Sequence, residues 1–322
     1  PIHRAVWDDN VPVDLFTTPK AEEVDASIPA MKKCLEVLQK HQKANTVWDA
    51  KGKVSDQILQ ELAEAGYWGM LIPKKYGGQG ATVRQFMSFL SEVATIDPTS
   101  AGLASVHGCI GAVDPVNSFG TEEQKKRFLP LLASGETLSA FALTEPWAGS
   151  DLTALRTTAV LKGDNYVVNG EKVFITNAIP GRTVGIVCLI DGKPAALIAD
   201  LPKQENDNFQ IVHYGIHALK HAYNNGLKFK DFLVPKENLL TPPIGDGLTV
   251  AYHGLNLGRL ALCANAAGVM KVMLANMLPW AHFRETYGNA IETRELIKRR
   301  IARCAALICG ANALYQWGSW LL

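Results

Sequence analysis

The spacing of apolar residues changes period twice along this chain of 322 residues, and that double change is the strongest constraint on its fold. Up to about residue 140 the spacing is helical: Ile58, Leu59 and Leu62 lead to Ala65-Gly66, where a helix stops, and Phe86, Phe89, Leu90 and Val93 repeat the pattern until Asp97-Pro98 ends it. Thr121 followed by Gln124 reads as a capped helix start. From about 141 onward come short runs rich in β-branched and aromatic residues, at 157–161, 166–168, 173–175, 184–190, 195–199 and 227–234. Gly-Asp-Asn, Asn-Gly and Asp-Gly-Lys separate them, as turns do. Near Gly245-Asp-Gly247 the helical pattern returns, and residues 255–283 suffice for a bundle helix of about seven turns, with Gly288 read as its stop and a second helix from about Thr293. The expectation is an α+β protein. A surface extension (1–27) precedes an N-terminal α-helical domain (28–140), a middle antiparallel β-domain (141–241) and a C-terminal helical-bundle domain (242–322).

Composition narrows the class of function only modestly. At 48% hydrophobic and 20% charged the chain has an ordinary globular make-up. A net charge of +1 gives no electrostatic reason to expect nucleic acid or an anionic membrane, so an acidic small molecule would need local basic residues. Cys34, Cys109, Cys188, Cys263, Cys304 and Cys309 show neither C-x-x-C nor zinc-ligand spacing and read as buried thiols of a reducing compartment. Residues 304–322 are almost uncharged and close to the length of a membrane span. Asn312, Gln316, Gly310 and Gly318 within them favour a buried bundle helix, and no membrane span is expected.

Two segments carry chemistry. Phe141-Ala-Leu-Thr-Glu-Pro-Trp-Ala-Gly-Ser-Asp151 brings the hydroxyls of Thr144 and Ser150 together with small residues, including Gly149, where backbone N–H groups can approach a phosphate. Gly170-Glu-Lys-Val-Phe-Ile-Thr-Asn177 places Phe174 and Thr176 on one strand face and Val173 and Ile175 on the other. An aromatic plane beside a hydroxyl suits an isoalloxazine ring. Read blandly, the first segment is a turn with Asp151 as a cap and the second an ordinary half-buried strand. His213, His217 and His221 would face one way on a helix and could bind a metal, but Gly215 and the strand-like 209–212 argue for loop histidines, and no metal site is expected. Gly77-Gly-Gln-Gly80 lacks the third glycine of a dinucleotide fingerprint.

The two segments together resemble the signatures of the acyl-CoA dehydrogenase family. Lys75-Tyr-Gly-Gly-Gln-Gly80, Gly120-Thr-Glu-Glu-Gln-Lys-Lys-Arg-Phe-Leu-Pro130, Phe232-Leu-Val-Pro-Lys-Glu-Asn-Leu239 and Arg284-Glu-Thr-Tyr-Gly288 extend the likeness over roughly residues 30 to 322 in the family's order. The resemblance implies a helical, β, helical architecture whose four-helix C-terminal bundle is only partly contained in this sequence. It implies FAD as cofactor, an acyl-CoA substrate oxidised to the 2,3-enoyl-CoA, electron-transfer flavoprotein as acceptor, and a homodimer or homotetramer. Cytoplasm, or mitochondrial matrix in a eukaryote, is the expected location, since no targeting segment is visible.

Residue by residue, the resemblance implies that Phe141, Leu143 and Thr144 line the flavin ring, that Gly149 and Ser150 meet its diphosphate, and that Phe174, Ile175 and Thr176 form the other wall. Phe174 stands where a Trp is common. Arg284 and Thr286 match residues that reach the diphosphate of a neighbouring subunit, a role suited to a guanidinium. Arg294-Glu295 replaces a usual His-Gln or similar pair. Ser150, Asn256 and Arg259 match substrate-lining positions, Asn256 in place of an Asp. Gly258 occupies the place where a minority of the family keeps its catalytic Glu; the majority position falls after Leu322, so the resemblance puts the base outside this sequence. A flavin oxidase or monooxygenase of the same fold, and a truncated non-catalytic binding protein, are the alternatives.

Overall fold

A computed structural model describes residues 28–321, so the extension expected at 1–27 lies outside the described residues. The first helices are α1 (Pro29–Ala44), α2 (Asp56–Glu64), α3 (Val83–Ile96) and α4 (Pro98–Ser105). A π-helical segment (Val106–Ile110), α5 (Val113–Phe119) and α6 (Glu122–Ser134) follow. Local chemistry sets these boundaries. Thr82 and Gln85 form a capping box at the start of α3, and Thr121 and Gln124 form the one expected at the start of α6. Asp97 leaves α3 in an extended conformation and caps α4, with its carboxylate accepting from Ser100 N–H at 2.7 Å and Pro98 in the first turn. The buried stripe Phe86, Phe89, Leu90 and Val93 on α3 matches the sequence periodicity, each side chain contributing about 1.5–3 kcal/mol of burial.

The β-domain starts slightly before the periodicity suggests, because β1 (Ser139–Ala142) is buried at every position and has no alternation to read. β2 (Thr158–Lys162), β3 (Asn165–Thr176), β4 (Thr183–Ile190), β5 (Lys193–Asp200), β6 (Phe209–His213), β7 (Asn224–Pro235) and β8 (Leu239–Leu240) complete one sheet, in the order β6-β7-β3-β2-β4-β5-β8. Two features depart from the expectation. The sheet is not wholly antiparallel: β1 runs parallel to the first half of β4, and β2 meets Leu189 near its end, also in parallel. The Asn169-Gly170 pair is not a turn but an irregularity inside a single strand of 12 residues, where the register with β7 shifts between Val168 and Gly170.

The next helix, α7, runs over Gly247–Phe283, 37 residues, and so starts eight residues before the stretch read from the sequence. Asp246 caps it, accepting from Leu248 N–H at 2.9 Å. It ends at Phe283 rather than Gly288, because Arg284 turns extended and Glu285–Thr286 (β9) pairs with Asn289–Ala290 (β10). Tyr287 and Gly288, both at positive φ, make the hairpin turn between them. α8 (Glu295–Trp320) then packs back on α7.

Among the described residues α7 is the one helix long and apolar enough to cross a membrane, its most apolar window having a mean hydropathy of 1.4. Its inner face, with Leu257, Ala261, Ala264 and Ala267, instead completes the core of the helical domain. Of the six cysteines, Cys34, Cys109 and Cys188 are buried as expected, and burial pushes the thiols of Cys34 and Cys188 up to about 12. Cys263, packed against the helical core, and Cys304 are half-buried, and Cys309 is exposed.

Candidate functional site

The two chemistry-bearing segments, some twenty residues apart, are fastened side by side. Val173 N–H donates to Thr144 O at 2.9 Å. Lys172 Nζ donates to Leu143 O at 2.9 Å and to Glu145 Oε1 at 2.7 Å. Both charged side chains are buried, Lys172 at 0% and Glu145 at 3% exposure, and the carboxylate also accepts from Arg156 N–H (2.7 Å) and Thr157 N–H (3.1 Å). Burial alone would raise the Glu145 carboxyl, but Lys172 and the backbone donors hold it below the usual carboxylate range. The pair was not singled out in the sequence, although a lysine beginning an apolar strand run was a visible signal.

Downstream of this clamp the chain turns at Glu145-Pro-Trp-Ala148, closed by Glu145 N–H to Ala148 O at 2.9 Å. Gly149 and Ser150 are exposed, and among the described residues no protein group accepts from their N–H groups. Asp151 then caps a short 3-10 turn (Leu152–Ala154), accepting from Thr153 N–H at 2.9 Å. The turn and cap of the bland reading are therefore present, and they hold Gly149-Ser150 out from the sheet.

The side chains of the expected ring-lining residues divide between surface and interior. Phe141 and Leu143 point inward, 9% and 7% exposed, into a cluster with Ala148, Leu152, Leu155, Val187 and Ala251 of α7. Gly185 on β4 is required there, because a Cβ would stand 2.6 Å from the Phe141 ring. Ile175 is buried in the β-domain core. Phe174 is 60% exposed at φ +59°, where the register with β7 shifts between Lys172 and Ile175, and its ring lies 5.4 Å from that of Tyr214. Half-buried Thr176 follows two residues later, with Oγ1 donating to Asn224 Oδ1 at 2.8 Å. Of these residues Phe174 is exposed and Thr144 and Thr176 are half-buried.

At the far end of α7, Arg284 is exposed and has no side-chain partner among the described residues. Thr286 is held by Arg294, whose Nη2 donates to the Thr286 carbonyl at 2.6 Å and to its hydroxyl, while the guanidinium lies over the Tyr287 ring at 5.5 Å. This leaves the Thr286 hydroxyl proton free to donate. Nearer the start of the helix, exposed Asn256 accepts from Arg259 Nη1. Gly258 faces the π-helical segment so closely that a Cβ would stand 2.5 Å from Ile110 Cδ1, so no side chain fits there without rearrangement.

His213 ends β6, and His221 lies in the following loop, stacked on Trp48 at 4.0 Å with Nδ1 2.6 Å from Gly52 O. The three histidines do not share a helix face. Beside the clamp a groove of about 720 Å³ is lined by Trp147, Arg156, Glu171, Asp207, Lys228 and Lys230, a mixture that selects no charge sign.

Comparison with known proteins places this geometry. Family models for the acyl-CoA dehydrogenase N-terminal, middle and C-terminal domains match residues 32–136, 140–211 and 245–321. An acyl-CoA dehydrogenase of Bacillus subtilis is 32% identical over 259 residues, 77% of this chain and 66% of that protein. The probable acyl-CoA dehydrogenase YngJ of the same organism is 32% identical over 277 residues, 85% of this chain and 72% of that protein. Butyryl-CoA dehydrogenase from Megasphaera elsdenii superposes with a TM-score of 0.79 at 27% identity, over 92% of this chain and 79% of that one. An acyl-CoA dehydrogenase from Bacillus anthracis complexed with FAD gives 0.79 at 31% identity, over 96% and 53%. A chain in a structure of the electron transferring flavoprotein of Acidaminococcus fermentans gives 0.83 at 30% identity, over 92% and 79%. With its three domains matched in order and the two signature segments clamped together, the chain belongs to the acyl-CoA dehydrogenase family.

Proposed function

We propose that this chain is the FAD-holding part of an acyl-CoA dehydrogenase that removes the α and β hydrogens of an acyl-CoA thioester and passes the electrons to an electron-transfer flavoprotein. The observation that carries the reading is the clamp of Lys172 on Leu143 O and Glu145, which sets Phe174 and Thr176 beside the backbone of 141–144. The residues fit FAD. Phe174 offers an exposed aromatic face, Gly149 and Ser150 offer unspent N–H donors, and Arg284 with the Thr286 hydroxyl offers donors for a diphosphate, here one from a neighbouring subunit. Bound there, FAD supplies the redox chemistry, and the chain orients it.

Asn256 and Arg259, with Ser150, are assigned to the substrate side of the site. A weakly acidic α-proton needs a desolvated base. Gly258 supplies no carboxylate, and a side chain there would have to displace Ile110, so the reading does not place the base at this position. Adding an acyl-CoA without oxygen to the FAD-loaded protein at its full natural length is the test. Bleaching of the flavin that persists on admitting air supports a dehydrogenase; immediate recolouring points to an oxidase, and no bleaching with any acyl length overturns the reading.

A further inference from the structure

We propose that a cleft between the helical domain and the β-domain binds a small zwitterion, whose carboxylate pairs with Arg182 and whose ammonium group meets Asp56, Glu64 and Glu136. The inference is independent of the FAD reading, since none of the residues lining this cleft belongs to the candidate flavin site. The cleft lies where α2 and the end of α6 meet the start of β4, and its volume is about 630 Å³. Junctions between domains are common places for small-molecule sites, and such sites span about 300–1,000 Å³.

Arg182 immediately precedes β4 and is half-buried. Its Nε is shielded from solvent and has no hydrogen-bond partner, and among the described residues the guanidinium forms no ion pair. Burial pulls the guanidinium below its ordinary value, and Asp56 attracts it only from beyond ion-pair distance. A buried donor left unbonded costs stability, which a ligand recovers by accepting from it. The guanidinium edge made by Nε and one Nη is the shape that a carboxylate meets with two parallel hydrogen bonds.

The rest of the cleft defines what else the ligand carries. Asp56 and Glu64, at the two ends of α2, and Glu136, just after α6, are exposed at its edge, and among the described residues none of them forms an ion pair. The carbonyl end of α6 adds partial charge of the same sign. Three carboxylates against one guanidinium disfavour a phosphate dianion and favour a ligand that brings its own cation. Leu59, Trp68 and Leu138 line the same cleft and give it an apolar wall for methylene carbons. That wall is preformed: Trp68 Nε1 donates to Leu59 O at 3.1 Å, and Gly135 sits so close to the indole that a Cβ would stand 2.5 Å from Trp68 Cδ1. L-Lysine, with a carboxylate, a methylene stem and a terminal ammonium, has all three parts and serves as the probe.

The test follows the Arg182 Nε–H resonance by NMR of the full chain labelled at its arginine nitrogens, titrated separately with L-lysine, acetate and inorganic phosphate. L-Lysine should move the resonance saturably, acetate should bind about tenfold more weakly, and phosphate more weakly still. Neutralising the exposed edge with Asp56→Asn, Glu64→Gln and Glu136→Gln together, which leaves Arg182 in place, should weaken L-lysine binding about tenfold. Arg182→Met should abolish it in calorimetry. A resonance that L-lysine does not move saturably overturns the proposal. So does phosphate binding more tightly than L-lysine, or L-lysine binding unchanged in the triple variant. The wild-type and triple-variant titrations decide the matter whether or not Arg182→Met folds.

Discussion

Lys172 Nζ lies 2.7 Å from Glu145 Oε1 with both side chains out of solvent, and this one contact joins the two segments whose residues form the candidate site. Two charges removed from water are stable only as a fully bonded pair. The backbone donors of Arg156 and Thr157 and the acceptor Leu143 O complete the bonding.

Removing one partner leaves the other charge buried and alone. Glu145→Ala should cost about 3–5 kcal/mol in urea unfolding, against a much smaller loss for the double substitution Glu145→Leu with Lys172→Met. A double-mutant cycle that shows no coupling between positions 145 and 172 would contradict this account.

A second buried polar group makes stability depend on pH. Burial pulls His107 down from 6.5 to about 4, and its Nδ1 accepts from Ser139 N–H at 3.0 Å while Nε2 donates to Leu132 O at 3.2 Å. The folded chain keeps this imidazole neutral while the unfolded chain protonates it, so its contribution is complete above the unfolded value and is lost as pH falls from about 6.5 toward 4. The expected loss is on the order of 3 kcal/mol, and His107→Gln should flatten that part of the stability profile.

The clamp shows where sequence reasoning reached and where it stopped. The helices of the first domain were legible because their apolar stripes keep helical spacing and Thr121 places a cap where the last of them begins; the caps at Thr82 and Asp97 emerge only in the structure. Phe174 and Thr176 were expected on one face by strand alternation, which the register shift between Lys172 and Ile175 interrupts. Phe141, Leu143 and Ile175 turn their side chains into the core, which a linear motif cannot reveal because the same residues serve packing and backbone placement at once. Glu145 and Lys172 went unmarked for the opposite reason: each depends on a partner 27 residues away. Arg294 was visible as a departure from the family pattern, yet its grip on Thr286 depends on the β9–β10 hairpin, which replaces the longer helix read from the sequence.

Any side chain at Gly258 would have to displace Ile110. Gly258→Glu should destabilise the chain by about 1–3 kcal/mol by overpacking Ile110, and Ile110→Ala in the same chain should recover part of the loss. Equal stability of the single variant and wild type, from thermal unfolding, would show that α7 and the π-helical segment can part.

Among the described residues Arg284 has no side-chain partner to lose. Arg284→Ala should therefore leave thermal stability without FAD unchanged while weakening FAD binding by about 1.5–3 kcal/mol, roughly tenfold to a hundredfold. Arg294→Ala should also weaken binding, by releasing Thr286, and should loosen the hairpin as well. Flavin content unaltered by Arg284→Ala would remove the cross-subunit assignment.

The central claim is that the clamped segments hold a flavin, and equilibrium titration of the chain with FAD tests it most directly. The account predicts saturable uptake of one FAD per chain, with a protein-bound flavin spectrum that survives gel filtration and is lost in Glu145→Ala. A folded, colourless wild-type chain that retains no FAD would contradict it.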